Sequence, residues 1–165
     1  MPTLLTDHIV HTEIPLRQVL FEDFKSLGKE LPIKGGWGYT REDAIIIDKN
    51  DPIVNCGLPF DGVAIEYIIV EKRIFEELII FRPKDQQFAG INHQLITQKL
   101  VIEENKAFDH LKIAVTAFKQ DEFEKAMGEM TDEQMYHYEA EYWFDITSFF
   151  GKSQSTEISK LGSVG

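Results

Sequence analysis

Between Tyr138 and Ile146 the chain alternates as only a strand between two unlike environments can. Tyr138, Ala140, Tyr142, Phe144 and Ile146 fall on one side of an extended backbone, and His137, Glu139, Glu141, Trp143 and Asp145 on the other. Successive side chains of a strand point to opposite faces. The first set is a core face. The second carries an imidazole, three carboxylates and an indole. A chain holding such a strand has to build a sheet with one covered face, the arrangement of α+β proteins in which helices are segregated to one side of a largely antiparallel sheet.

The remaining pattern fits that frame. Leu16, Val19, Leu20, Phe24 and Leu27 recur at helical spacing between Pro15 and Lys29, which predicts an N-terminal amphipathic helix lying on the sheet, with Gly28 and Pro32 ending it. Asp43–Asp48, centred on Ala44-Ile45-Ile46-Ile47, reads as a buried strand, and Lys34–Thr40 before it as a glycine-rich loop. Residues 63–82 fit both periods; their β-branched content favours two strands meeting near Glu71-Lys72-Arg73. Gln94–Glu103 and Phe108–Phe118 read as an antiparallel pair joined by Glu104–Ala107. Asp121–Gly128 reads as a short helix, and Thr131-Asp132-Glu133 as the cap of another. The expected architecture is a mostly antiparallel sheet of about five or six strands, with an N-terminal helix and one or two short C-terminal helices packed on it. It forms one domain over residues 1–150, followed by a weakly ordered Ser/Gly-rich tail over 151–165.

Composition narrows the function classes. The chain has 165 residues, 43 % of them hydrophobic, enough for a core without metal or disulfide. Cys56 is the single cysteine, so an internal disulfide framework and a cysteine zinc site are excluded. No signal-type leader opens the sequence and no apolar run is long enough for a membrane helix, so the expected address is the cytoplasm. The net charge is −11, a field that repels a phosphate backbone and an anionic membrane surface alike. Neither nucleic acid nor membrane is expected as a partner, and no cofactor signature is present.

Three groups of residues carry possible chemistry. Gly35, Gly36, Trp37 and Gly38, followed by Tyr39, form a loop whose amides could approach an anionic small ligand. It lacks the spacing of a dinucleotide or P-loop fingerprint, and a tight turn with Trp37 on the core explains it as well. His8, His11 and Glu13 spell a loose ligand pattern near the N-terminus, but no fourth donor is in reach; His93 and His110 stand apart. All read as solvated imidazoles, and Cys56, with no activating base beside it, as a small packed side chain.

The third group is the outward row of the last strand. His137, Glu139 and Glu141 could serve a metal-dependent hydrolase, could be a solvated strand face, or could meet a basic partner. From Gln120 to Asp145 there are nine carboxylates against the single Lys125, a net of −8, with Met127, Met130, Met135, Tyr136, Tyr142 and Trp143 among them. Methionine and amphipathic aromatics are favoured at contact surfaces, and carboxylates around them steer a basic protein into place. The sequence therefore leads to a non-enzymatic interaction protein, for example an immunity-type inhibitor of a basic toxin. Glu133, Glu139, Glu141, Trp143 and Asp145 are its expected contact residues.

Overall fold

A computed structural model describes residues 1–54, 60–127 and 129–151. Cys56 and the tail beyond Gly151 lie outside the described residues. The fold is a mixed α and β arrangement of six strands and three α-helices. Strands β1 (Thr3–Leu4), β2 (Ile33–Gly35), β3 (Ile45–Ile47), β4 (Phe88–Glu103), β5 (Lys106–Lys119) and β6 (Met135–Asp145) form one sheet in the order β2-β3-β6-β5-β4, with β1 added beside the start of β6.

The sheet is mixed, which corrects the expectation of a mostly antiparallel one in its detail. β4 and β5 pair antiparallel, as do β5 and β6 and also β2 and β3, but β1 and β3 both run parallel to β6. The strands concerned are two and three residues long, too short for any periodic signal. They are extended because β6 offers them unpaired backbone. The β4–β5 hairpin closes through Glu104 and Asn105, both with left-handed backbone (φ 45° and 70°). That is the two-residue turn whose twist suits an antiparallel pair.

The helices depart further. The region read as two strands is a helix, α2 (Gly62–Phe75), continued by a π-helical turn over Glu76–Ile80. Asp61 caps it, its carboxylate accepting the Ala64 N–H at 3.0 Å. Of its buried residues, Gly62, Glu66, Ile69, Val70, Arg73, Ile74, Glu77 and Leu78 recur every three or four positions, the mark of one helix face, and Glu76 is buried beside them where the π-helical turn begins. The N-terminal segment is not the long amphipathic helix expected. α1 spans only Leu16–Asp23, has no side-chain cap, and yields at Phe24 to a single 3-10 turn over Lys25–Leu27. The principal helix on the sheet is α2. The third, α3, covers Gln120–Ala126.

The core lies between α2 and one face of the sheet: Leu111, Ile113, Val115 and Ala117 from β5, Tyr138, Ala140, Tyr142 and Phe144 from β6, and Ile69, Val70, Ile74 and Leu78 from the helix. The loop ahead of β3 begins as strand β2, so Gly35 is a paired residue. At Gly35 (φ 86°) an added Cβ would come within 2.6 Å of the Ala44 carbonyl oxygen. Gly35→Ala is therefore expected to cost about 1–3 kcal/mol from forced repacking and backbone strain, read as a lower urea midpoint with an unchanged slope.

Candidate functional site

β6 divides the molecule into two chemical territories. Its inward residues build the core. Its outward residues, His137, Glu139, Glu141, Trp143 and Asp145, meet Thr116, Ala114, Lys112, His110 and Phe108 of β5 across the ladder. Most of this second face is half-buried or open: Lys112, Ala114, Thr116, His137 and Trp143 are partly accessible, and Glu139 and Glu141 are exposed. His110 is not the solvated imidazole expected. Its ring stacks on Trp143 with centroids 3.9 Å apart, and its Nε2 lies 2.9 Å from Glu141 Oε1. At one end Phe118 stacks on Phe123 of α3, so this short helix and its carboxylates Asp121, Glu122 and Glu124 border the face.

At the other end the face opens into a cleft of about 350 Å³ lined by Gly35, Gly36, Ala44, Ile46, Phe108 and Asp145, with Arg41, Glu42, Glu103, Glu104 and Lys106 at its rim. Two expected sites thus converge in part: Gly35 and Gly36 from the glycine loop and Asp145 from the acidic row line one cavity. Register explains it, because Ile46 of β3 is the partner of Asp145 and Gly35 of Ile45. Asp145 is 7 % exposed, and its carboxylate accepts the Thr147 N–H at 3.0 Å. Arg41 reaches across the rim to both Glu42 and Glu103.

The rest of the glycine loop turns away. Trp37 is buried, its indole N–H donating to the Ile14 carbonyl at 3.0 Å, and Gly38 holds β6 by accepting the Trp143 N–H at 2.9 Å. Gly35 and Gly36 thus line the cleft, while Trp37 packs in the core and Gly38 bonds to β6. Glu133 stands apart from the row, ahead of β6 at the end remote from Asp145, and pairs with the N-terminal ammonium group at 2.6 Å. Of the three methionines in the acidic stretch, Met127 is exposed, and Met130 and Met135 are half-buried. Among the described residues no three His, Cys, Asp or Glu side chains are grouped to hold a metal ion, and the carboxylate of the row that meets an imidazole does so with His110.

Sequence reasoning missed a polar network on the covered side of β6. Arg73 is 0 % exposed. Its Nε donates to Glu77 at 3.1 Å, Nη1 to the Trp37 carbonyl at 2.9 Å and Nη2 to the Glu141 carbonyl at 2.7 Å. The guanidinium lies between the rings of Tyr142 (3.5 Å) and Tyr39 (4.1 Å). Glu77 in turn accepts the hydroxyls of Tyr39 and Tyr138, each at 2.7 Å. Burial pushes all three phenols up, which keeps them protonated and able to donate. His8 stacks on Tyr138 with centroids 4.3 Å apart and buries an Nδ1 that has no hydrogen-bond partner. Burial holds its pKa below the usual histidine range, against the pull of Glu77. The reading of His8 as solvated is corrected; the imidazole is part of the wall of the Glu77 pocket. The signal was in the sequence as the spacing of Glu66, Arg73 and Glu77 along one helical face.

The chain matches no protein-family model, no curated protein and no solved structure. No helix among the described residues is long and apolar enough to cross a membrane.

Proposed function

We propose that the chain is a non-enzymatic binding protein that docks a basic partner on the outward face of its sheet, as an immunity-type inhibitor of a cationic toxin would in the cytoplasm. The observation that carries this reading is that Glu139, Glu141, Trp143 and Asp145 share one half-open face that runs into a cleft lined by Asp145, whose rim carries Glu42, Glu103 and Glu104 together with Arg41 and Lys106. A lysine or arginine side chain of the partner enters the cleft towards Asp145, with Glu104 at its rim beside Glu42 and Glu103, which Arg41 already pairs, while the stacked rings of Trp143 and His110 lie beside it. Arginine stacks readily on such rings. The net charge of −11 steers the encounter, and the carboxylates of the face set its register.

Rim charges act chiefly on association and its salt dependence. In capture from native lysate the chain is expected to retain a protein of high isoelectric point at low salt and release it at high salt. Glu139 and Glu141 are exposed, so Glu139→Gln with Glu141→Gln leaves the fold intact and weakens capture on the order of tenfold. Glu13→Gln with Glu22→Gln, exposed positions before and on α1, serves as the charge-matched control and has a smaller effect. Retention that is indifferent to salt, or equal losses in both double variants, contradicts the assignment.

A further inference from the structure

We propose that β4 is a self-association edge, through which two copies of the chain join antiparallel into one continuous sheet. β4 is sixteen residues long and last in the strand order, bonded to β5 alone. Its residues from Asn92 to Leu100 are exposed on both faces. An uncovered edge offers a row of unpaired amides and carbonyls, which proteins ordinarily blunt with proline, charge or irregularity. Here the irregularities lie between Ala89 and Thr97, and from Thr97 to Glu103 the pairing with β5 runs unbroken. That regular half contains no proline, and it carries Leu100 and Ile102 on the helix side, 51 % and 61 % exposed.

Charge selects the occupant. Gln86–Ile102 is the longest run of the chain without a carboxylate, so two copies that repel each other elsewhere can approach here, and a basic partner gains nothing from the edge. A two-fold axis through Val101 places Lys99 opposite Glu103 of the second copy, twice over by symmetry, and Leu100 opposite Ile102. Like-faced residues then meet, as an antiparallel ladder requires. An interface of so few residues is small, so the association is reversible. It shares Glu103 with the rim of the cleft proposed to bind a basic partner, and otherwise uses different residues.

Sedimentation velocity over a concentration series is the test, paired with a disulfide trap in a Cys56→Ser background. The expected result is a weight-average mass rising toward the dimer in the wild type and staying monomeric in Leu100→Lys with Ile102→Lys, whose positions are exposed and tolerate the change. Opposed residues of a ladder lie about 4.5–5.5 Å apart at Cβ, so Val101→Cys is expected to oxidise to a covalent dimer, whereas Thr97→Cys does not. A wild type that stays monomeric throughout, or equal cross-linking at 101 and 97, overturns the proposal.

Discussion

Arg73→Met is expected to cost the fold about 3–5 kcal/mol, the usual consequence of removing one partner from a buried ion pair. Against the roughly 5–15 kcal/mol that holds a domain together, that is a large share. Methionine fills the space between Tyr39 and Tyr142 but donates nothing. Glu77, buried at 2 % exposure, is left with the two tyrosine hydroxyls as its side-chain partners, and the carbonyls of Trp37 and Glu141 lose their donor. Arg73→Lys does not restore the wild-type value, since an ammonium cannot span three acceptors held in the plane of a guanidinium. Glu77→Leu in the Arg73→Met background is expected to cost less than the two single losses added together, because the orphaned buried carboxyl group is gone. Urea unfolding of the four proteins decides it; strictly additive losses contradict the account. The effect reaches the outward face, since Arg73 holds the backbone of Glu141, whose side chain stands in the proposed docking row on the other side of β6.

The second large effect is a fall in stability with rising pH, removed by Glu66→Gln and Glu76→Gln. Glu66 is 2 % exposed and Glu76 0 %. Burial pushes each carboxyl up to about 9, helped by the neighbouring Asp109 in one case and Asp23 in the other. Both oxygens of Glu76 are buried without a hydrogen-bond partner, which is tolerable only for the neutral acid. In the unfolded chain both groups lose their proton near 4.5. Between that value and about 9 the folded state therefore binds more protons than the unfolded one, and each group lowers stability by up to about 1.4 kcal/mol for every pH unit gained. Glutamine keeps the shape and cannot ionise, so the double variant should give a flatter profile and exceed the wild type at the alkaline end. Denaturant midpoints across the window measure it; parallel profiles for wild type and variant would show that these carboxyls do not titrate differently on folding.

These two features also mark where the sequence stops being legible. Alternation in β6 fixes both of its faces, and Glu104–Ala107 announces the hairpin between β4 and β5, which the structure tightens to the two residues Glu104 and Asn105. Over 63–82 the apolar residues are largely β-branched, and Glu66, Arg73, Glu76 and Glu77 fall where a core face should be. A reading that sends charge to the surface breaks the helix there. Only the three-dimensional pairing of Arg73 with Glu77, and the raised pKa that burial gives Glu66 and Glu76, makes that face buriable. The glycine loop is read as a tight turn with Trp37 on the core, and Trp37 is buried there; its share in the cleft is not legible for a related reason. Gly35 and Gly36 border the Asp145 cleft while Trp37 enters the core, a division set by β2–β3 register and not by the loop's own composition. The parallel strands β1 and β3 are too short to carry a period, and their direction depends on β6, far along the chain.

The central claim, that the outward face of β5 and β6 meets a basic partner, is tested most directly by placing a photo-activatable amino acid on it in living cells. Positions 139 and 112 lie on the face, and position 22 on exposed α1 serves as the control. The account predicts a light-dependent adduct with one protein of high isoelectric point from 139 and 112, with none from 22. Adducts of equal yield from position 22, or an acidic protein captured at 139, would contradict it.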